Sequence, residues 1–303
     1  MSFLKVHFIV LVAMIIEPFN GFISKYLVEH IGIIPSFLLW SVFGLLFSVS
    51  TLLWKGDIMR VMPSFLQYWK EILFILTFAC LGWGSWFLAL RFETVAIVNM
   101  VINSYVFFSI FISYFLLKEN FTLPEWFGVA LILVGVGILS YQPFDQSIGI
   151  VFALLNALFY ALQYMFVKRI IDGITPFVLS TIRLTGLSVF GVVLAAIVGL
   201  DTVSIIQFDI LSLALIGAGG ATAVGLLIYV ALRHMSYGRL SILKLWQPAI
   251  LLFISLGIFK ENLSHQELIG IVVMCIGTTV MTSKDAMRNY LLIEKHKYRG
   301  SDS

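Results

Sequence analysis

Polar residues in this chain fall in short clusters, and between them run apolar stretches about as long as a helix needs to cross a bilayer, roughly 20 residues. Ten stretches qualify: 4–26, 33–54, 70–90, 95–117, 125–142, 147–167, 177–200, 210–232, 239–259 and 267–283. Turn and breaker residues separate them, as at Lys55-Gly56-Asp57, Lys118 to Pro124, Asp172-Gly173 and Lys260 to Gln266. The pattern predicts an all-α polytopic membrane protein with ten transmembrane helices. The first stretch is too long for a signal-peptide core, lacks a small-residue cleavage site and holds Glu17-Pro18, so it is expected to be a retained helix.

Composition agrees. Of 303 residues, 60% are hydrophobic and 12% charged, against about 25% charged in an average soluble domain. With a mean hydropathy of +1.03, the apolar side chains are too many for one water-bounded core and must face lipid or one another. Cys80 and Cys275 lie within apolar stretches and the five histidines lie at or beyond segment ends, so neither disulfide, metal site nor cofactor is expected, and nothing points to nucleic acid.

Lys and Arg retained on the cytoplasmic side set orientation. With both termini inside, that face carries 14: Lys5, Lys55, Arg60, Lys70, Lys118, Lys168, Arg169, Arg233, Arg239, Lys284, Arg288, Lys295, Lys297 and Arg299. The opposite face carries three, Lys25, Arg91 and Lys260, while Arg183 and Lys244 lie within stretches. The bias predicts cytoplasmic termini in a plasma (inner) membrane, with 284–303 a basic tail at the lipid surface.

The chain also repeats itself. A shift of 142 residues lays Ala89-Leu90-Arg91 on Ala231-Leu232-Arg233, Phe111-Ile112-Ser113 on Phe253-Ile254-Ser255, and Lys118-Glu119-Asn120 on Lys260-Glu261-Asn262. Glu125, Gly128 and Gly135 then fall on Glu267, Gly270 and Gly277. Apolar matches arise by chance in such a composition, but a run of three charged or polar residues does not. Because each unit holds five spans, the second (143–283) must enter the membrane upside down relative to the first (1–142), the plan of many secondary transporters with a midplane substrate site.

The segments Leu117-Lys118-Glu119-Asn120-Phe121-Thr122 with Gly128, and Phe259-Lys260-Glu261-Asn262-Leu263-Ser264 with Gly270, resemble the EamA-type repeat of the drug/metabolite transporter superfamily. Pro248 fits the same pattern, and Val106 stands in its place in the first repeat. The resemblance implies ten helices, with one to four and six to nine forming an inner ring and five and ten peripheral. It does not give a substrate: members resembling this chain include exporters of amino acids and related metabolites, and some carry choline or nucleotide-linked compounds.

Glu17 is the one carboxylate deep in an apolar stretch, about 20 Å along the first helix. It is the candidate for proton coupling and for attracting an amine. Pro18 is expected to break the helix there and free backbone groups for a substrate. Asn156, Tyr160, Gln163 and Tyr164 form one stripe, Ser241, Lys244 and Gln247 another, and Asn99 and Asn103 are one turn apart. Polar stripes of this kind either line a cavity or only bond helices together. Arg183 is expected to snorkel to the headgroups, whereas Lys244, beside Trp246 and Pro248, is expected at a cavity. Trp83, Trp86, Tyr105 and Tyr229 supply rings for stacking or for a cation.

The expected substrate-binding set is therefore Glu17, Asn20, Trp83, Asn99, Asn103, Tyr160, Gln163, Tyr164, Lys244 and Gln247. One acid and one base at opposite ends suit a zwitterion; if Lys244 snorkels, a choline-like cation remains. No GxxxxGK[ST] run is present, so transport would run on a proton or solute gradient. The expected partners are a small-molecule substrate, lipid and protons, while the oligomeric state stays open. A passive channel and a membrane-embedded enzyme are the readings from other classes; the second would need a nucleophile with a base or a metal cluster, and neither is visible.

Overall fold

The computed structural model describes residues 3–118, 123–140, 147–199 and 207–244, with 247, 250, 254, 256–257, 264–266, 268–277 and 279–280 beyond them. The tail 284–303, Trp246, Pro248 and the Lys260-Glu261-Asn262 run lie outside the described residues.

The chain is a multi-pass helical membrane protein. Among the described residues six helices are long and apolar enough to cross a membrane. They are α1 (Phe3–Ile31), α2 (Ile33–Lys55), α4 (Trp69–Phe92), α8 (Ser147–Ile170), α9 (Pro176–Val198) and α10 (Phe208–His234). Shorter pieces complete the set: α3 (Val61–Gln67), α5 (Val95–Ile102), α6 (Tyr105–Phe115), α7 (Leu123–Ser140), α11 (Tyr237–Lys244) and α12, an apolar helix at Leu268–Gly277. Large apolar side chains such as Phe8, Leu53, Leu73, Ile197 and Ile216 stand exposed on the outer helix faces, as lipid requires.

Local chemistry sets the boundaries. Gly32, at φ 83°, turns α1 into α2 in a single residue, and Gly56, at φ 71°, ends α2 with its N–H donating to the Leu52 and Leu53 carbonyls. α9 starts differently: the Thr175 hydroxyl accepts from the Val178 N–H, and Pro176 occupies the first turn, where its missing N–H costs nothing.

Two features differ from the pattern-based expectation. α1 runs unbroken through Glu17-Pro18. The proline removes one donor, but the rest of a 29-residue helix packed on α4 and α10 holds the geometry. The break falls instead in the fourth segment, between α5 and α6. There the Asn103 amide donates to the Asn99 carbonyl at 2.7 Å, and tight turns run from Ser104 to Val101 and from Val106 to Asn103.

The helix pairings share one exchange symmetry. α4 packs on α8 and α1 on α10, while α2 packs on α9. Exchanging the two halves turns the first pair into the second and leaves the third unchanged. α9 has the bounds of α2 displaced by 143 residues. The Lys25 ammonium donates to the last-turn carbonyl of Leu90 at 2.6 Å, and Lys168, also displaced by 143, donates to that of Leu232 at 2.8 Å. Each cation caps the negative end of its neighbour's dipole.

The repeated glycines meet each other. A Cβ on Gly135 would lie 2.7 Å from the Gly270 carbonyl oxygen, and one on Gly277 would lie 2.8 Å from that of Gly128. Early meets late and late meets early, so α7 and α12 cross antiparallel with backbones in contact.

Candidate functional site

On the face that carries the start of α1, a dense apolar cluster fills the space between helix ends, with Val6 and Val10 of α1, Leu52 of α2, Ile72 and Ile75 of α4 and Leu232 of α10 among its members. Deeper in the bundle is a cavity of about 90 Å³. A single water needs roughly 10–15 Å³ by this measure, so a small solute fits.

Seven expected site residues line it: Glu17, Asn20, Trp83, Asn99, Tyr160, Gln163 and Tyr164. α1 brings the acid, α4 the tryptophan, α5 Asn99, and the α8 stripe the tyrosines and Gln163. The remaining three stand behind the wall. Asn103 spends its amide in the helix break. Gln247 and Lys244 are buried, with Ser241 on the same inward stripe.

Lys244 does not reach for the headgroups. Its ammonium lies 2.9 Å from Glu17 Oε2 and 3.3 Å from Oε1, with side-chain exposures of 3% for the lysine and 23% for the acid. Only the Oε1 approach has hydrogen-bond alignment, so Oε2 is a buried oxygen in ionic contact but without a directed donor. The ammonium also sits 5.3 and 5.4 Å from the ring centres of Tyr105 and Tyr160. The acid and the base therefore touch, instead of facing each other across intervening Asn and Tyr groups as the sequence suggested. Two opposite charges in a low-dielectric interior close on one another when nothing lies between them.

The Tyr160 hydroxyl is 2.9 Å from that of Tyr164, whose ring is 6.0 Å from that of Tyr229. Gln163 donates weakly to the Tyr229 hydroxyl at 3.5 Å, and Asn156 to the Gly82 carbonyl at 2.7 Å. Arg183 contradicts its snorkelling expectation: it is 4% exposed, with its guanidinium 5.5 Å from the centre of the Tyr229 ring.

Trp40 escaped the sequence reading. It lines the cavity with Trp83 and Trp86, ring centres 5.4 to 6.1 Å apart, because Gly217 leaves room for it: a Cβ there would stand 2.5 Å from the indole. Gly220 likewise admits the Asn20 amide oxygen. The small-residue run from Gly217 to Gly225 was the available signal.

The EamA-like transporter family model matches residues 4–141 and again 147–283. Among curated proteins none matches the chain. A solved crystal structure is similar over 93% of this chain and 97% of its own, with a TM-score of 0.72 at 14% identity, a likeness that shows the fold.

Proposed function

Because the chain belongs to the EamA-like transporter family, we propose that it is a secondary active carrier for a small zwitterionic metabolite of the amino-acid kind, with export favoured. It works by alternating access between two inverted five-helix halves, 1–142 and 143–283, in a plasma (inner) membrane with both termini cytoplasmic. The antiparallel crossing of the repeated glycines supports the inversion.

The observation that carries the reading is the ion pair at the cavity, whose acid comes from the first half and whose base comes from the second. Glu17 can be satisfied by Lys244, by a substrate ammonium or by a proton. A zwitterion inserted between the two gives its ammonium to Glu17 and its carboxylate to Lys244, so neither charge is left unpaired. Opening the pair also removes a link between the halves, coupling occupancy to their movement. A purely cationic ligand strands Lys244, and a purely anionic one strands Glu17 unless a proton accompanies it.

Counterflow in proteoliposomes tests this, with amino acids, choline and nucleotides as solutes, with and without a pH gradient. An amino acid should show trans-stimulation. Counterflow of choline alone would replace the reading with a cation carrier, which the tryptophan wall of Trp40, Trp83 and Trp86 would suit. Flux without trans-stimulation would indicate a channel, and turnover of a lipid-linked substrate an enzyme. Cysteines placed after residue 57 and near residue 290 should label only from the cytoplasm, and labelling from outside would reverse the topology.

A further inference from the structure

Among the described residues Glu93, Arg183 and Lys244 are buried charged side chains, and Lys244 is paired with Glu17. Lys25–Glu29, Arg60–Asp57 and Lys244–Glu17 form ion pairs. Arg183 joins none of them, although it is 4% exposed in the N-terminal half of α9. Its guanidinium lies 5.5 Å from the centre of the Tyr229 ring, while its Nε is buried with no hydrogen-bond partner. A buried guanidinium with an unused donor and no carboxylate is costly unless something else supplies the acceptor.

Its position says where that acceptor would come from. Gly225 lines the cavity, and a Cβ on it would lie 3.0 Å from Arg183 Nη2, so the guanidinium stands just behind the wall at the point where the glycine leaves the backbone bare. The displacement of 143 that relates α2 to α9 puts Arg183 on Trp40, itself a cavity residue. A ladder of tyrosines, Tyr160, Tyr164 and Tyr229, leads from the Lys244 ammonium to the guanidinium. Glu17 and Lys244 cancel, leaving one positive charge at this end.

We propose that Arg183 is an anion subsite reached beside Gly225 at the cavity wall, and that the preferred solute carries a second acidic group beyond its zwitterionic end, with a net charge of −1. The zwitterionic part rests on the reading above; the anion subsite rests on Arg183 alone. A planar carboxylate meets the guanidinium fork with two parallel hydrogen bonds, which a neutral amide cannot reproduce.

L-Glutamate and L-glutamine differ in this respect at nearly constant shape, and glutarate has the acids without the amine. Binding of each to the full-length protein in lipid nanodiscs is followed by the fluorescence of the cavity tryptophans. Wild type should bind glutamate at least tenfold more tightly than glutamine. Arg183→Gln should remove that preference by weakening glutamate and leaving glutamine unchanged, while Arg183→Lys should retain part of it. Gly225→Ala, which crowds Nη2 without removing the charge, should weaken glutamate selectively and serves if the glutamine variant does not fold. Equal binding of glutamate and glutamine by wild type, or a preference that survives Arg183→Gln, overturns the subsite. Binding of glutarate but of neither amino acid, lost in Arg183→Gln, keeps the subsite and removes the zwitterion reading. Failure of both glutamate and glutarate to bind removes the subsite whatever counterflow shows.

Discussion

The two halves of the molecule place the same fixtures at equivalent points and different charges between them. Lys25 and Lys168 cap the ends of α4 and α10, Ala89-Leu90 and Ala231-Leu232 are fully buried in both, and the glycines of α7 and α12 face each other's backbones. Around the cavity the correspondence stops. The displacement of 143 sets Glu17 against Tyr160 and Arg183 against Trp40, and that of 142 sets Lys244 against Ile102. What recurs holds the scaffold, where both halves face the same packing problem. What occurs once is chemistry, because a solute with distinct ends needs an asymmetric site in a nearly symmetric frame.

The largest effects should come from the asymmetric groups. Glu17→Gln leaves Lys244 as an uncompensated buried charge, and breaking a buried pair costs about 3–5 kcal/mol, here toward the lower value because the Glu17 side chain is 23% exposed at the cavity. Thermal unfolding in detergent should show the loss for either single change, Glu17→Gln or Lys244→Met. The double variant should recover most of the stability and none of the pH-driven transport. Normal pH-driven transport by Glu17→Gln would remove that residue from the mechanism.

Next in size are the glycine contacts. Gly135→Leu and Gly277→Leu should each destabilise by about 1–3 kcal/mol through overpacking. They should leave substrate affinity unchanged in binding assays, since no described residue of α7 or α12 lines the cavity. A large affinity change would mean that the crossing moves with the site.

The lysine caps sharpen the comparison directly. Lys25→Met and Lys168→Met should each cost about 1–2 kcal/mol, for a charge-assisted bond to a helix end. Equal losses in denaturant titrations support equivalent roles, and a difference above about 1 kcal/mol would break the equivalence. The smallest effect belongs to the helix starts, where the halves differ: Thr175→Ala should lose about 0.5–1 kcal/mol from the N-terminus of α9. The equivalent start of α2 has no side-chain cap to lose.

The scaffold was mostly legible in the sequence, because lipid makes span length and apolarity readable and the repeat shows itself wherever a polar triplet recurs. The weaker match of the first two helices of each half became visible only through Lys25 and Lys168, whose common partner is a helix-end carbonyl that has no sequence signature. The site was partly legible. Glu17, Lys244 and the α8 stripe stand out as polar residues in apolar surroundings, but Trp40 is one of many aromatics and needs Gly217 opposite it to matter. Pro18 was misleading because tertiary packing keeps α1 helical through it, and the fourth segment breaks through an Asn side chain that an apolar pattern does not weigh. Arg183 looked like a snorkelling residue from its depth alone, since depth does not reveal which way a side chain turns.

Trans-stimulated uptake is the most direct test of the carrier reading. Vesicles holding the wild-type protein and loaded with an unlabelled amino acid should accumulate the labelled form in a transient overshoot. The overshoot should vanish in Glu17→Gln vesicles while the neutral double variant still unfolds cooperatively. Uptake that rises linearly with concentration and ignores the internal amino acid, or an overshoot undiminished in Glu17→Gln, would contradict the account.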